Sequence, residues 1–135
     1  MGAEKTIYVT KPDALRLERL LAMSKRTENV EALEEELSRA SIVASEEIPA
    51  NVVTMNSKVR FRDEVTGEES EVTLVYPPQS DVNEGKVSIL APVASALLGL
   101  SIGQAIEWPM PNGKTRSFKI VSVLFQPEAA GQYDL

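Results

Sequence analysis

The sequence predicts an α+β protein: a short antiparallel helical hairpin, a coiled-coil stub, followed by a sheet domain that carries one helix. Three observations carry that reading. Apolar residues recur at spacings of three and four between positions 12 and 40, the spacing changes to two from position 52 onward, and one later apolar run opens with Pro92 and closes with Gly99. The first is the period of a helix face, the second that of a strand face, and the third the usual placement of proline and glycine at the two ends of a helix. The expected division is 1–48 for an N-terminal strand and the hairpin, and 49–135 for the sheet domain.

Ile7, Tyr8 and Val9 form a short β-prone run, after which Thr10 can cap a helix whose first turn accepts Pro12. That helix is expected to run to Met23 or Ser24, with Ala14, Leu17 and Leu21 on one face and Leu15 and Leu20 widening it. The polar stretch 24–29, with capping residues Thr27 and Asn29, reverses the chain. A second helix then brings Val30, Leu33, Leu37 and Ala40 to the seam, and Glu35 and Arg39 on its outer face have the favourable i, i+4 order. At about 12 residues each, such helices reach only about 18 Å, too little to be stable alone.

Strands are expected over 52–55, 58–62, 71–76, 86–90, 105–108 and 116–125, separated by Asn56-Ser57, Thr66-Gly67, Pro77-Pro78, Gly85 and Asn112-Gly113. The Asn112-Gly113 step is the usual signal of a hairpin. The helix beginning at Pro92 lies between the fourth and fifth of these strands.

Composition removes several kinds of chemistry. With neither cysteine nor histidine in 135 residues, disulfides, thiolate metal sites, the usual zinc sites and histidine-based triads are excluded. No glycine-rich loop joins a strand to a long helix, so Gly99, Gly103 and Gly113 do not make a phosphate cradle. No cofactor or metal is expected, and the protein is read as a binding protein and not an enzyme. Residues 1–10 lack the apolar stretch of a secretory signal, and no run approaches the roughly 20 apolar residues of a membrane span. A cytoplasmic protein with no membrane partner follows, with a monomer as the default state. The net charge of −6 opposes direct nucleic-acid binding. Lys58, Arg60 and Arg62 share a strand face but stand beside Asp63, Glu64, Glu68 and Glu69, which reads as a solvated sheet face.

What remains are carboxylates, one tryptophan and one corner. Glu28 and Glu31 fall at or just after the hairpin tip, where paired acids can supply a ligand to a partner's metal; the plainer reading is first-turn acids favoured by the helix dipole, with Lys25 and Arg26 competing for them. Trp108 can floor a small apolar pocket or fill the core. Leu90, Ala91, Pro92 and Val93 lie where a strand meets a proline-initiated helix, a rigid corner suited to docking.

Three stretches, Val53-Thr-Met-Asn-Ser57, Leu90-Ala-Pro-Val93 continuing through Ala96-Leu-Leu-Gly-Leu100, and Gln126-Pro-Glu-Ala-Ala-Gly131, resemble the regulator of nucleoside diphosphate kinase family. Residues 87–103 also resemble the C-terminal domain of the Gre transcript-cleavage factors, which has an FKBP-like fold. The resemblance implies a protein that binds bacterial RNA polymerase near the rim of the secondary channel, with the sheet domain as anchor and the hairpin pointing inward. Leu90, Ala91, Pro92 and Val93 become the docking residues. Pro92 matches the proline of a Ser-Pro pair in Gre factors, and Ala91 replaces its serine, which leaves the apolar part of that contact. Gre factors carry a much longer arm ending in paired acids that assist RNA cleavage. This chain has a short arm and only Glu28 near its tip, so the resemblance implies competition for the Gre site without transcript cleavage, and an indirect effect on nucleoside diphosphate kinase levels.

Three alternatives stand beside this reading. The first is a prolyl isomerase using a pocket over Trp108, the second a stand-alone cleavage factor using Glu28 and Glu31, and the third an interaction module for another partner. Pro127 is expected to end the last strand, and Tyr133 to pack back on the sheet.

Overall fold

A computed structural model describes residues 7–133; the first six positions of the N-terminal segment and positions 134–135 of the C-terminal one lie outside the described residues. Strand β1 (Tyr8–Thr10) runs directly into helix α1 (Lys11–Ala22), and α2 (Glu28–Arg39) leads into β2 (Ser41–Val43). Thr10 caps α1 by accepting the Asp13 amide at 3.2 Å, and Thr27 caps α2 by accepting the Val30 amide at 3.1 Å. Both caps satisfy a first-turn amide that has no partner inside its helix. The hairpin thus closes on a parallel β1–β2 pair in which Val9 faces Ile42.

The remaining strands form one five-stranded sheet in the order β5-β4-β3-β7-β6. They are β3 (Lys58–Asp63), β4 (Glu69–Val75), β5 (Lys86–Ser88), β6 (Ala105–Pro109) and β7 (Thr115–Phe125). Every pairing is antiparallel except β4 with β5. The β6–β7 connection is the hairpin that Asn112-Gly113 announced, closed by the Met110 amide on the Lys114 carbonyl at 2.8 Å. Pro109 is tolerated there because β6 is an edge strand. Helix α3 (Pro92–Leu97) covers the sheet, with Ala94, Ala96 and Leu97 buried.

Alternation in β3 is clean. Val59, Phe61 and Asp63 are buried while Lys58, Arg60 and Arg62 face outward. The outward cations meet acids from the neighbouring strand, Arg60 with Glu69 and Glu71, and Arg62 with Glu69. This is the solvated sheet face expected from the sequence. Phe61 and Phe118 meet edge to face at 5.6 Å in the core below.

Two strand assignments need correction. Residues 52–55 are not a sheet strand: Val52, Val53, Thr54 and Met55 are all buried, and only an isolated bridge joins Val52 to Ser101. Its backbone groups bond elsewhere, with the Val53 amide and carbonyl on Leu100 and Gly99, the Thr54 amide on the Ser57 hydroxyl and the Met55 amide on Asp13, and Asn56, at a φ of 67°, turns the chain away. The short β2 strand was missed because the sequence beyond Ser41 reads as a turn, and only its pairing with β1 makes it a strand.

The resembling stretches at 53–57 and 126–131 are parts of one unit. Gln126 is buried, and its Nε2 donates to the carbonyls of Pro49 and Val52, each at 2.8 Å. Thr54 donates its hydroxyl to Glu128 at 2.7 Å and lies 2.8 Å from the Ser57 hydroxyl. The C-terminal segment therefore clips the 49–57 connection against the sheet. Tyr133, expected to pack back, is instead 46% exposed.

The 97–100 turn stitches the two halves together. Gly99 donates its amide to Val53 at 2.8 Å and accepts the Tyr8 amide at 3.1 Å. Its φ is +82°, and a Cβ there would stand 2.8 Å from Ile7 Cβ. Gly103 has a φ of +90°, but a Cβ there would meet nothing within 4 Å, so the pair separates backbone strain from collision. Gly103→Ala is expected to cost about 1–2 kcal/mol, the left-handed penalty alone. Gly99→Ala is expected to cost at least about 1 kcal/mol more, because Ile7 must shift. Urea unfolding of both variants checks this, and equal losses would show that Ile7 does not press on the turn.

Candidate functional site

Strand β5 ends at Ser88 and α3 begins at Pro92, so Ile89, Leu90 and Ala91 turn the corner between sheet and helix. Local bonds shape it. The Ile89 amide donates to Val75 at 2.8 Å, the Ala91 amide to the Ser88 carbonyl at 2.9 Å, and the Leu90 amide to the Ser88 hydroxyl at 3.1 Å. Ile89 is buried beneath the turn, while Leu90, Ala91, Pro92 and Val93 are each partly exposed. Leu90 and Val93 also touch the core, so the corner is an apolar knob with a packed base. Ala91 occupies the N-cap of α3 and contributes no side-chain bond.

A polar layer lies under this knob. Ser95, 2% exposed, donates its hydroxyl to the Ile89 carbonyl at 2.6 Å. Asn29, in the first turn of α2, donates through Nδ2 to the Leu90 carbonyl and to Ser95 Oγ, both at 3.0 Å. Its Oδ1 accepts the indole N–H of Trp108 at 2.7 Å. These partners fix the orientation of the amide, since only the nitrogen can face two acceptors and only the oxygen can face an N–H.

The start of α2 therefore lies on the sheet domain, and the hairpin does not project freely from it. Its base is fastened as well, at Asp13. One carboxylate oxygen accepts the Met55 amide at 3.2 Å, the other lies 3.5 Å from the Tyr76 hydroxyl, and the side chain is 5% exposed. Burial pushes the Asp13 carboxyl up from 3.8 to about 6, with Glu128 adding to the rise and the Met55 amide and Arg16 opposing it. Burial likewise raises the Tyr76 phenol, helped by the Asp13 charge.

Glu28 and Glu31 are exposed in the first turn of α2. Arg26 forms its two-pronged hydrogen bond with Glu34, while the charge of Glu31 still acts on it. Among the described residues no group of three or more acids is placed to hold a metal. Trp108 is 2% exposed and its N–H is taken by Asn29, so this side chain fills the core, the second of the two roles read for it. A cleft of about 370 Å³ lies elsewhere, between the hairpin helices, lined by Leu21 and Leu37 with Glu18 and Glu34 at its sides. Among the described residues no helix is long and apolar enough to cross a membrane.

Sequence reasoning passed over Asn29, Ser95 and Asp13 as site residues. Nothing local marks Asn29, whose partners are 61, 66 and 79 positions away. Asp13 did carry a signal: it stands four residues before Leu17 and eight before Leu21, on the buried face of α1.

The family model described as "Transcription elongation factor, GreA/GreB, C-term" matches residues 48–125, and that described as "Rnk N-terminus" matches 5–43. The chain is 41% identical over 130 residues to the "Regulator of nucleoside diphosphate kinase" of Escherichia coli (strain K12), covering 95% of this chain and 96% of that one. It is 37% identical over 97 residues to "Transcription elongation factor GreA" of Thermodesulfovibrio yellowstonii, covering 72% of this chain and 61% of the relative. A solved structure called "Prokaryotic transcription elongation factor GreA/GreB from Nitrosomonas europaea" superposes with a TM-score of 0.73 at 50% identity, over 90% of this chain and all of that one. The resemblance read from the sequence motifs is thereby confirmed. These relatives are named as regulators and elongation factors, not as enzymes.

The Asp13 joint has a definite pH signature. Below pH 3.8 the carboxyl is neutral in folded and unfolded chains alike; as pH rises through about 6, the folded chain must bury a charge that the unfolded chain solvates. Asp13's contribution to stability is therefore full below 3.8 and lost as pH rises through about 6, by at most about 3 kcal/mol. Asp13→Asn, which keeps an oxygen for the Met55 amide, is expected to gain about 1–3 kcal/mol on the parent between pH 4 and pH 8. Urea unfolding of both proteins at the two pH values measures it, and parallel profiles would exclude a buried titrating joint.

Proposed function

The chain belongs to the GreA/GreB transcription elongation factor family, in the branch with an Rnk-type N-terminus, and we propose that it is a transcription regulator that binds bacterial RNA polymerase. Docking is through Leu90, Ala91, Pro92 and Val93 at the rim of the secondary channel, where the protein competes with Gre factors. The observation that carries this reading is the apolar corner itself, partly exposed, seated on the core and braced from below by Ser95 and Asn29. A rigid knob loses little conformational entropy on binding, which favours a protein contact of modest area. Residues 49–135 form the anchor and 1–48 modify what it presents.

Transcript cleavage is not part of this function. The helices have 12 residues each, and the first turn of α2, which holds Glu28 and Glu31, is tied to the corner by Asn29. Acids held at the anchor cannot extend into a distant catalytic centre. The protein acts as a monomer without contacting nucleic acid directly; the outward cations of β3 are committed to Glu69 and Glu71. An influence on nucleoside diphosphate kinase levels runs indirectly, through transcription.

Binding to RNA polymerase core, with a Gre factor as competitor, tests the reading. The parent is expected to bind and be displaced, and Pro92→Asp, which places a charge on the knob, to weaken binding by about a hundredfold or more. A stalled-complex assay is expected to show no stimulation of RNA cleavage. Absence of binding by the folded parent would remove the polymerase partner, and clear stimulation of cleavage would refute the competitor role.

A further inference from the structure

The peptide unit joining Leu90 to Ala91 is held at both of its polar atoms. Its N–H, from Ala91, bonds locally to the Ser88 carbonyl at 2.9 Å, whereas its C=O, from Leu90, is taken by Asn29 of the hairpin at 3.0 Å. Because a peptide unit is planar, fixing both atoms fixes the torsions on either side, and these set where Leu90 stands relative to Pro92. Pro92 has no amide to add a restraint of its own. The same Asn29 nitrogen holds Ser95 Oγ, whose hydroxyl points to the Ile89 carbonyl, so one amide orders the turn and the first turn of α3 together.

We propose that Asn29 is a positioning residue for the docking corner: by holding the Leu90 carbonyl and the Ser95 hydroxyl it keeps the knob in the conformation that the partner engages, and makes the hairpin part of the docking unit. This rests on the corner being the polymerase contact proposed above. Loss of the two donors leaves the residues of the knob unchanged but lets the Leu90–Ala91 peptide tilt, so the bound conformation is only fractionally populated and apparent affinity falls by that fraction.

Two substitutions separate positioning from simple support. Asn29→Asp keeps an oxygen for the Trp108 indole and suits the first turn of a helix, yet loses both donors. Trp108→Phe removes core volume and the indole N–H that Asn29 Oδ1 accepts, but leaves both Asn29 donors and their two acceptors in place, so it destabilises the fold while the Leu90 and Ser95 contacts remain. Polymerase core binding is measured for the parent, these two variants and Pro92→Asp, at a temperature where all are folded. Amide hydrogen exchange of Ala91 and Ser95 is measured in the free proteins.

Asn29→Asp is expected to bind about tenfold more weakly and to exchange about tenfold faster at both amides, with Trp108→Phe within about twofold of the parent in affinity. Parental binding by Asn29→Asp beside failure of Pro92→Asp would keep the docking corner and overturn the positioning role. Losses of affinity that track losses of stability across Asn29→Asp and Trp108→Phe, or unchanged exchange at Ala91 and Ser95, would also overturn it. Parental binding by Pro92→Asp would overturn the docking reading and the positioning role together.

Discussion

Two short helices cannot hold each other up, and the rest of the architecture follows from the surface they borrow. Each has 12 residues, below the length at which isolated helices persist in water. Leu17 and Leu21 of α1 and Val30 and Leu33 of α2 are buried in the same apolar cluster as Ile89, Leu97, Trp108 and Phe118. Fully burying a leucine-sized side chain is worth about 1.5–3 kcal/mol, so four such residues anchor the hairpin strongly, and only when it lies along the sheet domain. A hairpin that swung outward would return that surface to water.

Apolar burial sets no register by itself, because it is non-directional. Register comes from the few polar groups inside the joint: Tyr8 on Gly99, Asp13 on Met55, and Asn29 between Leu90, Ser95 and Trp108. Each becomes costly if its partner moves away, since a buried donor or acceptor without a partner costs about 1–3 kcal/mol. The three contacts fall at the base, the start and the turn of the hairpin. They hold its position as pegs hold a board that glue alone would let slide.

Local chemistry made most of the elements legible. Thr10 and Thr27 as caps, Pro92 and Gly99 bounding a helix, Asn112-Gly113 closing a hairpin and the alternation of Lys58 to Asp63 all act within a few residues, and all are where the sequence puts them. Long-range pairing was less accessible. Ser41 to Val43 becomes a strand only because Tyr8 to Thr10 lies beside it, and Val52 to Met55 fails to become one because its backbone bonds go to the 97–100 turn and to the side chains of Ser57 and Asp13. The corner at Leu90 to Val93 could be found from its proline; the brace beneath it could not, because a lone asparagine after a threonine cap resembles any loop residue. Gln126 and Glu128 formed part of a recognisable motif without a reason, and the reason is their grip on Pro49, Val52 and Thr54.

That grip bears on the order in which the chain can finish folding as it is made. The 49–57 connection leaves the ribosome well before Gln126 and Glu128, which fasten it. Thr54 waits 74 positions for Glu128, roughly 4–15 seconds at synthesis rates of about 5–20 residues per second. For most of that interval the apolar face of the hairpin also lacks Trp108 and Phe118. Until Gln126 and Glu128 emerge, the nascent chain keeps the 49–57 connection unfastened and its apolar side chains open to a chaperone.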